Sequence, residues 1–233
     1  MKQVSSWAGE NFWIDAMQNG LYLPETDFFP GIVNSLLQKE NLVSSKILDY
    51  CCGNGRFGEL AKEMGASVVG IDNSPKLLAT ASEIMPVARS IATDLPFHSN
   101  KFDYVLSFNA LHVIEDFRRA IAEVHRVLAP SGRLLLSIVS PYAEKWDIDS
   151  GLCYKDYSNY WKQETRPWVF NLTNSSHHIE YYFHRPWETY SSALSNWFEL
   201  AAPIMPNLLT EQCQQGKYAS LEYLIVSAEK RIL

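Results

Sequence analysis

The chain has 233 residues, a formal net charge of -6 at neutral pH and a sequence pI of about 5.5. This length suits one α/β domain with an added cap and is short for two independent domains. The negative charge argues against a large phosphate-binding surface, so nucleic acid is not expected as a substrate. A signal-peptide pattern and a run of about eighteen apolar residues are both missing from the sequence, which predicts a cytoplasmic protein without a membrane span.

The cysteines do not have the spacing of a metal site, so reduced thiols and no metal are predicted. The adjacent Cys51 and Cys52 cannot easily bridge to each other at a strand end. The pair Asp147 and Asp149 could suggest one metal site, but two acids in a loop are usually solvated. Three histidines, His177, His178 and His184, could suggest another, but they lack helical i,i+4 placement.

Residues 1–45 mix aromatic side chains with glycine and proline turns, which predicts an arm that folds back over the rest of the chain. Two short helices are predicted in this arm from helical spacing of apolar residues. The first is centred on Trp13, and the second contains Ile32, Leu36 and Leu37.

The stretch 46–72, KILDYCCGNGRFGELAKEMGASVVGID, predicts a buried parallel strand, a glycine turn, a helix and a second strand. Asp49 interrupts the first strand near its carboxyl end, where a buried carboxylate needs a cationic or hydrogen-donating partner. Gly53 and Gly55 let the backbone turn sharply and approach a ligand. Asp72 ends the second strand, where it can accept hydrogen bonds from a ribose diol.

Two ligand classes fit this unit. GNGRFG is a formal G-x-G-x-x-G with an acid about 20 residues further on, which is the fingerprint of a dinucleotide site. The carboxylate of Asp49, however, would repel a pyrophosphate on this turn and attract the cationic amino acid end of S-adenosylmethionine. The residues therefore favour a sulfonium cofactor over NAD.

Further along the chain, Ser74 and Pro75 predict the start of a helix that stops before Pro86. A helical stripe predicts a second helix over 115–128, and Pro186 is expected to open a third. The remaining strands are predicted over 88–92, 102–108, 133–139, 199–205 and 221–228.

Between these elements, residues 140–184 lose their periodicity while aromatic residues cluster there. An insertion of about forty residues after a sheet strand is expected to cover a site, and we interpret it as a substrate lid. The alternative is that its aromatic residues pack on one another or form a homodimer interface.

Four segments resemble the class I S-adenosylmethionine-dependent methyltransferases, in particular the small-molecule group that includes the ubiquinone and menaquinone methyltransferases. They are LDYCCGNGRF, VVGIDNSPKLL, ATDLPFHSNKFDYVLSFNALHVIED and HRVLAPSGRLLLSIVSP. The resemblance is close over about residues 46 to 140 and loose elsewhere. Cys51 stands where the family usually has its first glycine.

This resemblance implies an α/β fold, a Rossmann-like doubly wound sheet of seven strands, mostly parallel with an antiparallel last strand. It divides the chain into a helical arm, 1–45, and a domain, 46–233, that binds S-adenosyl-L-methionine. The family pattern places the methionine part on the glycine turn, the ribose hydroxyls on Asp72 and the adenine beside Asn73. It also implies that Asp94 contacts the adenine amino group and that residues 109–112 lie under the methyl-bearing face. The residues that it implies for the cofactor are Asp49, Cys51, Gly53, Gly55, Asp72, Asn73, Asp94, Leu95 and Asn109.

Methyl transfer from a sulfonium is an in-line displacement, so the protein must align donor and nucleophile, exclude water and only sometimes remove a proton. Histidine is the natural base near neutral pH, and His112 and His184 are the candidates. The alternative for each is a histidine simply hydrogen-bonded to backbone. Arg185 is a candidate for steering an acidic substrate, or it pairs with a neighbouring carboxylate. Tyr22 is a candidate substrate-binding residue, because in related methyltransferases a tyrosine of such an arm often reaches the cofactor. The alternative is an ordinary surface or core tyrosine.

The predicted function is methyl transfer to an oxygen, nitrogen or carbon of a small-molecule metabolite. Two alternatives remain open at this point. The chain could bind a nucleoside metabolite without turnover, or it could be an NAD-dependent Rossmann enzyme.

Overall fold

The computed structural model describes residues 29–141, 145–147, 152–154, 160–171, 177–203 and 223–231. The predicted helix at Trp13 and the candidate substrate residue Tyr22 lie outside these residues. The described helices are α1 (Phe29–Leu37), α2 (Arg56–Glu63), α3 (Pro75–Ala81), α4 (Phe117–Val127) and α5 (Trp187–Ser195), with a short 3-10 helix at Leu111–Val113. The strands are β1 (Lys46–Tyr50), β2 (Ser67–Asp72), β3 (Val87–Arg89), β4 (Phe102–Ser107), β5 (Leu128–Val139), β6 (Lys145–Asp147), β7 (Leu152–Tyr154), β8 (Glu164–Asn171), β9 (His177–His184), β10 (Phe198–Leu200) and β11 (Tyr223–Lys230).

Seven strands form one sheet in the order β10-β11-β5-β4-β1-β2-β3. The strands β3, β2, β1, β4 and β5 pair in parallel, while β11 lies antiparallel between β5 and β10. This confirms the predicted Rossmann-like sheet, mostly parallel with an antiparallel last strand. The all-parallel dinucleotide-binding sheet ends differently, with its sixth strand directly beside the fifth.

Both faces of the sheet are buried, as the short apolar strands predicted. One face packs against α4 and α5 through Phe117, Ile121 and Leu194. The other face packs against α1, α2 and α3 through residues such as Val33 and Ala61. This layering leaves the carboxyl ends of the parallel strands as the edge where a ligand can reach the loops.

The junction between α4 and β5 differs from the prediction, which placed the helix end at 128 and the strand start at 133. The helix ends at Val127 and β5 begins at Leu128. The pairing of β5 with β4 shifts register between Phe102 and Tyr104, and Ser131 takes a left-handed φ of 60°. The turn residues of APSG therefore form an irregularity inside a strand instead of a separate loop.

The predicted insertion at 140–184 contains two antiparallel hairpins, β6–β7 and β8–β9. In the second hairpin, Arg166 pairs with Tyr182 and Glu164 pairs with His184. Arg166, Tyr182 and His184 are buried, whereas Tyr181 on the opposite face is exposed. One face of this hairpin therefore packs inward, and its role as a lid stays a prediction.

Candidate active site at the carboxyl edge of the sheet

The turn between β1 and α2 takes a left-handed backbone at three positions. Cys51 has φ 57°, Gly53 has φ 55° and Gly55 has φ 91°. Cys52 N–H donates to the Ile71 carbonyl of β2 at 2.8 Å, which fixes the start of the turn against the neighbouring strand. Cys51 thus adopts a conformation that glycine takes without a steric penalty and that costs a residue with a Cβ about 1 kcal/mol or more.

The strain at Cys51 gives a testable expectation. The Cys51→Gly variant should be more stable than Cys51→Ala by about 1 kcal/mol, because alanine keeps the Cβ that disfavours a positive φ. The alanine variant is the matched control, since both changes remove the thiol. Urea unfolding of the two variants provides the comparison, and equal midpoints would show that this turn carries no strain.

Asp49 lies buried at the end of β1, with 2% of its surface exposed. Its Oδ2 accepts a hydrogen bond from the Gly58 N–H of α2 at 2.8 Å. Burial raises the pKa of Asp49 from 3.8 to about 7, the Gly58 hydrogen bond opposes this rise, and the negative charge of Asp72 adds to it. The Gly58 N–H is the hydrogen-donating partner that the sequence required, and the carboxyl group retains lone pairs for a cation.

Gly58 permits this contact by its lack of a side chain. A Cβ at this position would lie 2.8 Å from Asp49 Oδ2 and 2.7 Å from Met85 Sδ. The third glycine of GNGRFG therefore lets α2 pack closely on β1, which is a packing requirement and not a ligand contact. This packing role of Gly58 was not predicted from the sequence, although the G-x-G-x-x-G spacing indicates it.

Asp72 joins the glycine turn to the start of the next helix. Its Oδ2 accepts from Gly53 N–H and its Oδ1 from Ser74 N–H, each at 2.9 Å. Ser74 in turn caps α3, as the sequence predicted, by accepting from Leu77 N–H at 3.1 Å. Carboxylate oxygens accept more than one hydrogen bond each, so Asp72 retains the capacity to accept from a ribose diol. Asn73 is exposed beside it.

The turn fits a ligand that is cationic at one end and carries a diol. A Cβ built on Gly53 meets nothing within 4 Å, so the backbone there is open to close approach. Asp49 and Asp72 flank this open position, and each raises the cost of negative charge beside it. The amino acid and ribose groups of a sulfonium cofactor would suit both acids, whereas a pyrophosphate would be repelled.

Three further candidates follow the strands β3 and β4. Asp94 is exposed and Leu95 buried in the loop 92–97 that follows β3. Asn109 takes a left-handed φ of 57° just after β4. Its N–H donates to Ser137 Oγ and its Oδ1 accepts from the same hydroxyl, both at 3.0 Å. The structure thus brings Asn109 to the same carboxyl edge as Asp49 and Asp72.

His112 lies in the 3-10 helix after β4 and is 1% exposed. Its ring packs edge-on toward Tyr182 of β9, with 6.2 Å between the ring centroids. Burial lowers the pKa of His112 to about 3, and the positive charge of Arg185 lowers it further. His112 is therefore neutral at pH 7 and holds a proton only weakly.

His184 ends β9 and is buried as well. Its Nε2 lies 2.9 Å from the Tyr160 carbonyl oxygen, so Nε2 carries the proton and Nδ1 is the acceptor. Burial lowers the pKa of His184. This contact matches the alternative of a histidine hydrogen-bonded to backbone, and catalysis by either histidine stays a prediction.

Arg185 is buried, and its guanidinium contacts the loop that follows β4. Its Nη2 donates to the carbonyls of Ile114 and Glu115 at 2.9 Å, and its Nη1 lies 3.3 Å from Tyr190 Oη. The group also stacks over Phe117 at 4.5 Å. These contacts hold the 111–115 loop against α5, and steering of a substrate by Arg185 stays a prediction.

Two absences concern only the part of the chain that the structure describes. Within it, no three His, Cys, Asp or Glu residues are grouped as metal ligands would be. Within the same residues, no helix combines the length and the apolar character needed to cross a membrane.

Comparison with known proteins agrees with this geometry. Residues 48–136 match the family described as "Methyltransferase domain". An uncharacterized methyltransferase of Synechocystis sp. is 42% identical over 41% of this chain and 49% of its own length. The demethylmenaquinone methyltransferase of Staphylococcus carnosus is 38% identical over 38% of this chain and 40% of its own length. The chain thus spans half or less of the length of these relatives.

A solved structure extends the match beyond that region. The S-adenosylmethionine-dependent methyltransferase from Mesorhizobium loti superposes with a TM-score of 0.65 and 25% identity, over 84% of this chain and 96% of that protein. The segment that matches the family contains the glycine turn and both flanking acids. Residues 48–136 therefore form a methyltransferase domain of the class I S-adenosylmethionine-dependent family.

Proposed function

We propose that the chain is an S-adenosylmethionine-dependent methyltransferase that moves a methyl group to an oxygen, nitrogen or carbon of a small-molecule metabolite. The observation that supports this most directly is the open glycine turn between two carboxylates, Asp49 and Asp72. That arrangement suits a cation and a diol on one ligand.

Different residues of the site would hold different parts of the cofactor. Asp49 would hold the methionine ammonium, Gly53 and Gly55 the methionine backbone, and Asp72 the ribose. The loop 92–97 would hold the adenine. Bound there, S-adenosylmethionine supplies an electrophilic methyl group on a sulfonium, and the protein aligns the nucleophile with it and excludes water.

A small substrate is supported by the position of the β8–β9 hairpin. Tyr182 of this hairpin packs toward His112, so the hairpin lies over the segment that follows β4 at the carboxyl edge of the sheet. If this hairpin covers the site, the enclosed space would suit a planar or amphipathic metabolite more than a macromolecule. The relatives named demethylmenaquinone methyltransferases are consistent with this substrate class.

The lowered pKa of His112 indicates which kind of nucleophile the site suits. With its pKa lowered to about 3, His112 is a weak base at neutral pH, and it serves better as a neutral hydrogen-bonding group. We therefore favour a nucleophile that loses its proton readily, such as a phenol or an acid.

The two alternatives are less well supported. An NAD enzyme would place a pyrophosphate beside the Asp49 carboxyl, and the antiparallel β11 departs from the dinucleotide-binding sheet. A binding protein without turnover would be expected if Cys51 distorted the turn, but Cys51 takes a left-handed φ of 57°, a conformation that glycine adopts readily.

Thermal melting with S-adenosylhomocysteine, S-adenosylmethionine, NAD and NADP tests the cofactor. A ligand at about 100 times its dissociation constant adds ~2.7 kcal/mol to the free energy of unfolding. A labelled-methyl transfer screen over small phenols, acids and amines then tests the reaction. Stabilisation by NAD alone, or binding without any transfer in the screen and in a cell extract, would contradict the proposal.

Asp72→Ala should weaken binding of S-adenosylhomocysteine by about 1.5 to 3 kcal/mol, the scale of a lost charge-assisted hydrogen bond. Because Asp72 also accepts from Gly53 and Ser74, Asp72→Asn is the control that keeps one acceptor for the turn. Calorimetry measures both affinities. An unchanged dissociation constant in both variants would exclude a ribose contact at this acid.

A further inference from the structure

The loop 92–97 between β3 and β4 is held by side chains at nearly every backbone position. Such a density of contacts is unusual for a connecting loop, because loops normally vary and move. The acceptors and their donors are Ala92 O with Tyr50 Oη at 2.8 Å, Thr93 O with Arg119 Nε at 3.0 Å, Asp94 O with Ser90 Oγ at 2.7 Å and Phe97 O with Arg126 Nη1 at 2.6 Å.

Leu95 lies at the centre of this arrangement and is held from both sides of its peptide unit. Its N–H donates to Glu123 Oε2 at 2.8 Å, and its carbonyl accepts from Arg126 Nη2 at 3.0 Å. Glu123 and Arg126 also pair with each other through two hydrogen bonds of 2.7 Å. Both residues lie on α4, so a helix on one face of the sheet fixes a loop at its edge.

The geometry points to Glu123 and Arg126 as positioning residues that fix Asp94 and Leu95 for recognition of the adenine amino group. This inference rests on the proposed function. It concerns the specificity of the cofactor site. It also gives a role to Arg126, which lies in the HRVLAPSGR segment and is not one of the candidate site residues.

The physical reason is the direction of neighbouring side chains. The Leu95 side chain is buried in the core, while the Asp94 side chain beside it is exposed. Fixing the Leu95 peptide therefore fixes the direction in which Asp94 points. A hydrogen bond to an amino group tolerates only a few tenths of an ångström before it weakens, so a loop free to shift would lose this selectivity.

The Arg126→Gln variant tests the inference, with Arg118→Gln as the matched control. Arg118 lies on the same helix, is exposed and places its guanidinium over the Phe117 ring instead of the loop. Calorimetry compares S-adenosylhomocysteine with its 6-deamino analogue, in which purine replaces adenine. Wild type and the Arg118 variant should prefer S-adenosylhomocysteine about tenfold, the size of one hydrogen bond. In Arg126→Gln this preference should fall to about twofold, mainly through weaker binding of S-adenosylhomocysteine.

A second measurement does not depend on the ligand. Exchange of the Leu95 amide hydrogen should be at least about tenfold faster in Arg126→Gln and in Glu123→Gln than in the Arg118 control, because its acceptor is displaced. If Arg126→Gln fails to fold, amide exchange at Leu95 in Glu123→Gln still tests the inference.

The outcomes separate the inference from the proposed function. Equal weakening of both ligands by Arg126→Gln would assign the pair a merely structural role and overturn the inference. So would an equal affinity of wild type for the two ligands, or unchanged exchange at Leu95, although the proposed function would stand in each case. Failure of wild type to bind either ligand would refute the proposed function itself.

Discussion

Asp49→Asn is expected to weaken binding of S-adenosylhomocysteine by at least about tenfold while making the cofactor-free protein more stable at pH 8. The first effect follows because the carboxylate would hold the ligand's ammonium group, and an amide lacks the negative charge. The second follows because the buried carboxylate resists ionisation, as its pKa of about 7 shows. Asparagine is nearly isosteric and can still accept from Gly58 N–H.

The pH dependence has a definite sign. Unfolding lowers the pKa of Asp49 from about 7 to an ordinary value near 3.8, so the folded protein binds the proton more tightly. The contribution of Asp49 to stability is therefore full below pH 3.8 and is lost as the pH rises to about 7. Relative to the Asn variant, wild type should lose roughly 2 to 4 kcal/mol over this range.

Chemical unfolding of both proteins from pH 4 to pH 8 measures this difference, and calorimetry over the same range measures affinity. Wild-type affinity for S-adenosylhomocysteine should rise up to about pH 7, because the ammonium requires the ionised carboxyl group. The Asn variant should lack this rise. A variant that binds as tightly as wild type would exclude the ammonium contact, and one that simply unfolds would make Asp49 a structural acid.

Arg185→Met is expected to lower the free energy of unfolding by about 3 kcal/mol. The change removes two charge-assisted hydrogen bonds from the buried guanidinium to the carbonyls of the half-buried Ile114 and the exposed Glu115, and each such bond contributes about 1.5 to 3 kcal/mol. Methionine fills part of the space beside Phe117, so the effect reports the lost hydrogen bonds more than a cavity.

Arg118→Met is the control for removal of a cation near the same ring, because Arg118 is exposed. It should change stability by less than about 0.5 kcal/mol. Nuclear magnetic resonance adds an independent reading, since loss of the Arg185 charge should raise the pKa of His112. If Arg185→Met keeps full stability and only raises the KM of an acidic substrate, then Arg185 steers substrate and does not hold the loop.

The glycine turn and its flanking acids were predictable from sequence because their signals are local. Gly53 and Gly55 mark the turn, Ser74 and Pro75 mark the next helix, and all four lie where the sequence placed them. Local steric preferences of this kind act over a few residues and do not depend on the rest of the fold.

Other properties depended on neighbours that are distant in sequence. Arg185 looked like a residue free to meet a substrate, yet the structure packs its guanidinium against carbonyls about seventy residues earlier in the chain. The depressed pKa of His112 has the same origin, because it arises from burial and from the charge of that arginine. Periodicity and spacing carry no information on such contacts.

The sequence by itself determined the strand–turn–helix unit and the chemistry of the two acids, because these follow from backbone preferences and from short spacing. The class of the fold was implied by the resemblance of its motifs to a known family. Only the tertiary structure decided the order of the strands in the sheet, that Gly58 brings α2 against Asp49, and that Glu123 and Arg126 hold the loop 92–97. The physical reason is that strand pairing, desolvation and long-range hydrogen bonds are set by which segments the folded chain brings together.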